Sequence, residues 1–590
     1  MTEKGKISVN SDNLMPIIKK WLYSDRDIFV RELVSNGVDA ISKYKKLVQM
    51  GQAEEKESYS VTVKADAEAG TLTFTDNGLG MTKEEVEKYI NQVAFSGAVD
   101  FLEKYEDTDS SGIIGHFGLG FYSAFMVSNR VTIETLSYQT GAKAIFWESD
   151  GSDEYAISDS DKTDVGTKIT LYLNEESLEF AKNSAVLAVL EKYCRFMPVE
   201  IFLEGENDGK AINDVSPLWL KKPSECTEEE YKEFYHKVFT DFNDPLFWIH
   251  LNVDYPFNLK GIVYFPKLTE NPESIQGQIK LFNNQVFVAD NIKEIIPEFL
   301  MLLKGVIDCP DMPLNVSRSF LQNDRTVAQI SNHITKKIAD RLTNMAKNEK
   351  EAYEKFWDDI NVFVKYGCMR DSKFDERLKD YVIYKTTDNG FVTLEEYLKD
   401  AEDKKVYYVS NEKQQAQYIS LLTSAGKKAV HLGGMLDIPF MQHVEMHNQG
   451  VRFERVDASI AGALDAENHL FDVLCEYTAK LVNENTTVKA QKIQSDMPAV
   501  LLVDEFGRRM DEAQKYYGMK NLGNMLKYTL VLNTSSPLVE SINKMAEGES
   551  KEQAVKYVYD LARLAHGSLT AEETAQFISQ SAQNLEKLCE

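Results

Sequence analysis

Basic residues are in short supply: 66 Lys and Arg stand against 93 Asp and Glu over 590 residues, a net charge of −27. That deficit argues against nucleic acid or an anionic membrane as a partner, because such binding rests on Lys and Arg neutralising phosphates. It suits a protein that stays soluble while showing apolar surface to others, since self-repulsion opposes association. Paired cysteines are missing too. Cys194, Cys226, Cys309, Cys368, Cys475 and Cys589 are dispersed with no C-x-x-C, which excludes a disulfide framework and a zinc site and predicts reduced thiols. No run approaches the roughly 18 apolar residues of a membrane span. The opening MTEKGKISVNSDNLMPIIKK lacks the apolar core and cleavage site of a signal peptide. A cytoplasmic location is therefore expected. The chain also lacks internal repeats, low-complexity tracts, a Walker G-x-x-x-x-G-K-[ST] loop and a G-x-S-x-G elbow.

What is present is an ordinary globular composition, 43% hydrophobic and 27% charged, in a chain too long for one core. Period-two alternation in Tyr59–Val63, Thr71–Thr75, Arg130–Glu134 and Thr167–Leu173 predicts strands with one buried face. Helical patterns cover 12–23, 25–50 and 82–94. This mixture predicts an α+β fold whose first domain, residues 1–210, is a mainly antiparallel sheet under helices. The polar stretch Glu204–Gly209 marks its end. Residues 215–482 alternate strands (Leu259–Phe265, Lys405–Val409) with helices over 326–366 and 412–425, an α/β middle domain. Polar, apolar-poor residues 484–497 mark a second boundary, after which 490–590 is predicted to be mostly helical.

Four short segments carry the chemistry: Glu32-Leu-Val-Ser-Asn36, Asp76-Asn-Gly-Leu-Gly80, Gly115-His-Phe-Gly118-Leu-Gly120 and Gly166-Thr167. At about 100° per residue Glu32, Asn36 and Asp39 share one helix face, with Val30, Val34, Val38 and Ile41 opposite. Such a helix is either an ordinary amphipathic surface helix or one that presents three polar groups to a single cavity. Asp76 follows a predicted strand, where a carboxylate can accept the exocyclic amine of adenine, and Gly78 and Gly80 admit close backbone approach; the alternative is an Asp-Asn-Gly turn. The glycines of 115–120 open a predicted helix at Phe121, whose free N–H groups suit phosphates. Together, in this order, the segments supply what an ATP-hydrolysing module needs.

These segments resemble the ATP-binding fold shared by gyrase B subunits, sensor histidine kinases, MutL proteins and the ninety-kilodalton heat-shock chaperones. Arg31–Ala40 and Gly115–Ser123 single out the chaperone branch, as do Pro217-Leu-Trp219, Thr227–Tyr235, Ile279–Phe282 with Gln285–Val288, and Met312–Gln322. The chain thus resembles the prokaryotic members of that family, well over its first two domains and weakly over its last hundred residues. The resemblance implies a Bergerat-type α/β sandwich, a middle domain with a catalytic-arginine loop, and a C-terminal dimerisation domain. It implies that ATP and Mg²⁺ bind, with Glu32 as general base for water, Asn36 as Mg²⁺ ligand and Asp76 holding adenine. Gly80, Met81 and Thr167 would line the base pocket. Gly118, Gly120 and Phe121 would meet the phosphates, Asp39 and Gly115 would be among the nucleotide-binding residues, and Arg318, with Asn315 and Gln322 on the same loop, would reach the γ-phosphate. Residues of about 91–120 correspond to a mobile lid, in which Phe95 stands where relatives often carry lysine.

The function implied is an ATP-driven chaperone, a homodimeric clamp acting on unfolded clients. A sensor kinase would need a phosphoacceptor-histidine helix ahead of Glu32, and no histidine precedes it. A topoisomerase or mismatch-repair subunit wants basic surface. In the last domain, Phe506, Met510, Ala513 and Tyr517 form a stripe that reads either as core or as an exposed client-binding helix. Val555, Val558, Leu561 and Leu564 suit a two-fold dimer interface. His443 and His447 lie one helical turn apart, but the spacing of Glu445 departs from H-E-x-x-H and no third ligand is evident.

Overall fold

The computed structural model describes residues 25–92, 114–115, 118–152, 154–267, 278–291, 296–312, 314, 325–399, 401, 403–458, 464–516 and 526–589. The predicted helix over 12–23, most of the predicted lid, and Asn315, Arg318 and Gln322 lie outside the described residues. Two compact units, 1–338 and 339–590, divide the chain.

The first unit is organised by helix α1 (Ile28–Gln49). Val30, Val34, Val38 and Ile41 are all fully buried, so the apolar back predicted for this helix lies in the core. The sheet comprises β1 (Ser60–Asp66), β2 (Thr71–Asp76), β3 (Ser128–Leu136), β4 (Ile145–Ser149), β5 (Ala156–Asp159), β6 (Gly166–Leu173) and β7 (Glu200–Leu203), in the order β5-β4-β3-β6-β2-β1-β7. Every pairing is antiparallel except β1 with β7, in agreement with the expected mainly antiparallel sheet. Helix α2 (Lys83–Tyr89) begins at Thr82, whose side chain and that of Glu85 cap each other's backbone N–H groups. Helix α3 (Asn183–Tyr193) lies between β6 and β7 in sequence. The segment after the glycines, expected as an α-helix, is a 3-10 turn over Gly120–Met126.

After helix α4 (Glu228–Val238), a second sheet of β8 (Phe247–Val253), β9 (Leu259–Phe265), β10 (Gln278–Asn283), β11 (Val286–Asp290) and β12 (Lys304–Asp308) runs in the order β11-β10-β12-β9-β8. Trp219, 1% exposed, joins the two sheets. Its ring lies 4.7 Å from Phe196 and 5.4 Å from Phe282, which accounts for the Pro-Leu-Trp segment as a packing plug.

The predicted helix over 326–366 is two helices, α5 (Arg325–Asn348) and α6 (Lys350–Arg370). The break is at Glu349, which leaves helical geometry with ψ 45° and accepts hydrogen bonds from the Arg341 guanidinium. A hairpin, β13 (Ile383–Lys385) and β14 (Phe391–Thr393), precedes a parallel sheet of β15 (Lys405–Val409), β16 (Val430–His431) and β17 (Arg452–Arg455). Helices α7 (Glu412–Ser424) and α8 (Asp437–His447) connect its strands. On α8 the His443 and His447 rings lie 4.3 Å apart, but His443 Nε2 faces Asp375 at 3.2 Å and His447 Nδ1 turns back to the His443 carbonyl.

The polar stretch read as a boundary holds a strand. β18 (Leu464–Glu467), β19 (Thr486–Ile493), β20 (Ala499–Val503) and β21 (Tyr528–Asn533) form a sheet in the order β18-β19-β21-β20. In β19, Thr486, Ala490 and Ile493 are buried while Lys489 and Lys492 are exposed. Small and hydroxylated inward residues had hidden its alternation. Helix α9 (Glu505–Tyr516) lies between β20 and β21 in sequence, with Phe506 69% and Met510 39% exposed. That favours the exposed reading of those two residues over the core one; Tyr517 lies outside the described residues. Helices α10 (Glu549–His566) and α11 (Ala571–Cys589) end the chain. Val555 and Val558 are not available to a partner, because they pack with Leu501 and Leu530 in the chain's own core. Among the described residues of these two helices, the exposed large apolar ones are Leu564, Ile578 and Leu585.

Candidate active site

Helix α1 lies against the sheet, with Gly37 meeting Val61 of β1 and Asp76 at the end of β2. Glu32 is 3% exposed, and its Oε1 accepts hydrogen bonds from Nε and Nη2 of Arg31 at 3.1 and 2.8 Å. Its Oε2 faces Gly120, where any Cβ would come within 2.5 Å of that oxygen. The glycine is what lets the 3-10 turn approach the carboxylate. One turn along, Asn36 is half-buried. A further turn along, Asp39 accepts the N–H groups of Ile114 and Gly115 at 2.6 and 2.7 Å, which ties the glycine-rich segment to the helix. Sequence reading placed Asp39 on the right face but had no signal for this tether.

Asp76 ends β2 opposite Thr167 of β6. A Cβ built on Gly37 of α1 would touch the Asp76 side chain at 3.2 Å, so helix and strand end adjoin. The loop after Asp76 is no hairpin turn. Asp76 Oδ1 accepts the Gly78 N–H at 2.8 Å, Asn77 bonds the backbone of Ser58 and Ser60, and Lys56 Nζ donates to the Asn77 carbonyl at 2.5 Å. Gly80 has φ +62°, and a Cβ there would overlap the Leu136 carbonyl at 1.8 Å; no other residue fits. Thr135 Oγ1 accepts the Met81 N–H at 2.9 Å and shares a 3.0 Å hydrogen bond with Thr167, which is 6% exposed. Phe121 packs its ring edge-on against Trp147 at 5.8 Å. Tyr122 and Trp147 hold the residues leading into the predicted lid, through the Ile90 carbonyl at 2.6 Å and the Asn91 side chain at 2.9 Å.

Arg31, Lys56 and Thr135 are the site residues that sequence reading missed. Arg31 could have been flagged as a charge in the first turns of the helix, where Ile28 to Ser35 are buried on every side. Lys56 acts across more than twenty residues with no local pattern.

Burial pushes the Asp76 carboxyl up to about 7, against the opposing pull of the Gly78 N–H, Lys56, Lys162 and the Thr167 N–H. Burial likewise lifts Asp308, 4% exposed, to about 6. Both native-state values lie above those of an unfolded chain. Between about pH 4 and 7 the folded protein therefore holds protons that the unfolded chain has released, and stability falls as pH rises through that window. Asp457 acts oppositely. Burial alone would raise it, but His566 and Arg455 hold it below the usual range, so its contribution is nearly complete by about pH 5. We expect the unfolding free energy of the ligand-free chain to fall by on the order of 3 kcal/mol from pH 4.5 to 7, and Asp76→Asn and Asp308→Asn each to flatten the slope. Urea midpoints across that range check this; slopes unchanged in both variants refute it.

Among the described residues no group of three or more His, Cys, Asp or Glu gathers to hold a metal. An amide oxygen such as that of Asn36 is the kind of hard ligand Mg²⁺ accepts beside phosphate and water oxygens.

The geometry agrees with two family profiles. One described as histidine kinase-, DNA gyrase B- and HSP90-like ATPase matches residues 24–170, and one described as Hsp90 protein matches residues 200–589. A chaperone protein HtpG of Porphyromonas gingivalis is 43% identical over 94% of this chain and 86% of its own length. That of Bacteroides thetaiotaomicron is 42% identical over 92% and 84%, and that of Pasteurella multocida 30% identical over 98% and 97%. With an ATPase module at its amino end and the Hsp90 profile spanning the remainder, the chain belongs to the Hsp90 family of ATP-dependent molecular chaperones.

Proposed function

We propose that Glu32 is the general base of the ATPase, orienting and deprotonating water, and that Asp76 accepts the adenine amine, with Gly80, Met81 and Thr167 lining the base pocket. Asn36 would hold Mg²⁺, which, when bound, neutralises phosphate charge. The N–H groups of Gly118, Gly120 and Phe121 would meet the phosphates, with Asp39 fixing Gly115 at the head of their loop. Arg318 is the cation that would complete the site, supported by Asn315 and Gln322. The observation that carries the reading is the pairing on one face of α1 of Glu32 against Gly120 and of Asp39 with the N–H groups of Ile114 and Gly115, while Asp76, at the end of β2, adjoins the same helix at Gly37.

ATP would close the chain onto unfolded client proteins and hydrolysis would release it, a population shift driven by differential affinity. The three proposed domains are residues 1–210, 215–482 and 490–590. The six free cysteines fit a reducing cytoplasm. The test is aggregation of a thermally unfolded reporter enzyme followed by turbidity. Suppression should deepen with ATP and track phosphate release across variants; suppression indifferent to nucleotide would separate the ATPase from chaperoning.

Two-fold association through the last helices rests on Ile578 and Leu585, each 62% exposed on α11, and Leu564, 39% exposed on α10. Val555 and Val558 drop out of that surface. Ile578→Asp with Leu585→Asp should convert dimers to monomers in light scattering with the fold intact; a dimer in the double variant would move the interface elsewhere.

A further inference from the structure

Beside the first turn of α1, reached through Ile28 and Arg31, lies a hollow of about 570 Å³, where α1 and α3 face β10 and β11. Its size is that of a small-ligand pocket. Apolar walls come from Tyr193 and Phe287, whose rings lie 6.0 Å apart, with Phe196 and Phe282 nearby. The charges lining it are sorted by depth. The acids are at the rim: Asp25 and Glu191 are exposed, and the Asp290 side chain is 39% exposed. Lys192, also at the rim, is paired with Asp27 at 2.9 Å. Two of the remaining cations sit deeper, Arg31 at 1% exposed and the Lys280 side chain at 22%, while Arg195 is half-buried. Arg31 is held by Glu32, and Lys280 stands 3.5 Å from Asp290. Arg195 makes no ion pair with a described residue; its guanidinium donates to the Lys237 carbonyl at 2.6 Å. Arg31, Lys192 and Lys280 thus already have carboxylate partners, and Arg195 is the cation to which an entering anion adds a new ion pair.

We infer that this hollow is a binding site for a compact aromatic carboxylate, its ring against Tyr193 and Phe287 and its anion on Arg195 and Lys280, within reach of Arg31. Arg31 is common to both sites, since the same guanidinium holds Glu32 Oε1. A carboxylate that draws on Arg31 alters how Glu32 is held, and by linkage nucleotide alters the affinity for the carboxylate by the same factor. This coupling rests on the proposed placement of ATP beside Glu32; the pocket itself does not.

The probe is 4-(trifluoromethyl)benzoate, followed by fluorine NMR on the full chain. Saturable binding is expected, at least about tenfold tighter than that of the neutral 4-(trifluoromethyl)benzamide. Ala188→Trp, placed at an exposed α3 position on the wall of the hollow, should abolish it without disturbing the fold. Arg195→Met should weaken it about tenfold, and a non-hydrolysable ATP analogue should shift probe affinity about fivefold or more. Equal binding by Ala188→Trp overturns the site, and equal affinity for the amide overturns its preference for anions. Nucleotide binding is measured separately by calorimetry. If the analogue binds and probe affinity stays put, the coupling falls; if it does not bind while the probe does, the ATP reading falls and the pocket stands.

Discussion

Asp76→Ala lowers ATP affinity by about two orders of magnitude, the worth of a hydrogen bond to a charged acceptor in a desolvated pocket. Calorimetry on the purified chain reads it directly. The expectation follows from where the carboxyl sits: at the end of β2, opposite Thr167 and against Gly37, with one oxygen committed to the Gly78 N–H. Affinity within about threefold of wild type would remove Asp76 from the adenine contact. The same residue predicts a pH dependence. With the empty-site carboxyl near 7, an amine donor favours the ionised form, so binding releases a proton and affinity rises by about tenfold from pH 6 to pH 8. Asp76→Asn, which cannot ionise, should bind more weakly but flatly across that range. Titrations in buffers of differing ionisation heat count the proton.

The site was legible where chemistry is written in short local patterns. Glu32, Asn36 and Asp39 could be placed on one face because a helix of known period carries them, and the fully buried Val30, Val34, Val38 and Ile41 set its rotation. Asp76 was legible from a strand ending in a glycine-spaced loop. Contacts made across the fold were not. Lys56 reaches the Asn77 carbonyl, and Thr135 reaches Met81 and Thr167, through pairings that no local pattern encodes. The fold followed the same rule. Strands with alternating apolar residues were found, whereas β19 was missed because threonine, alanine and lysine form most of it. The C-terminal stripe erred differently: helical periodicity identified Val555 and Val558 as facing something apolar but could not say whether that was a partner or the strands β20 and β21 of the same chain.

Glu32→Gln should bind ATP with near-native affinity and release phosphate about 100- to 10,000-fold more slowly, the range over which a positioned general base contributes. Glutamine is the informative replacement because of Arg31. That guanidinium is 1% exposed and gives two N–H groups to Glu32 Oε1. The amide keeps an oxygen there while losing basicity, so a loss of turnover reports chemistry. Glu32→Ala removes the carboxylate from a buried cation, and breaking such a pair costs about 3–5 kcal/mol. It should therefore lose turnover and also unfold at markedly lower urea. The two variants separate the roles: equal turnover loss with unequal stability is the signature of a base that is also half of a buried pair. If Glu32→Gln instead turns over at the wild-type rate while Glu32→Ala is only unstable, Glu32 is structural and the base must be sought elsewhere. Arg31→Met tests the other half. It should leave ATP binding intact and change the rate through the orientation of Glu32, so that in the Glu32→Gln background it has no further effect on turnover, as expected of groups acting as one unit.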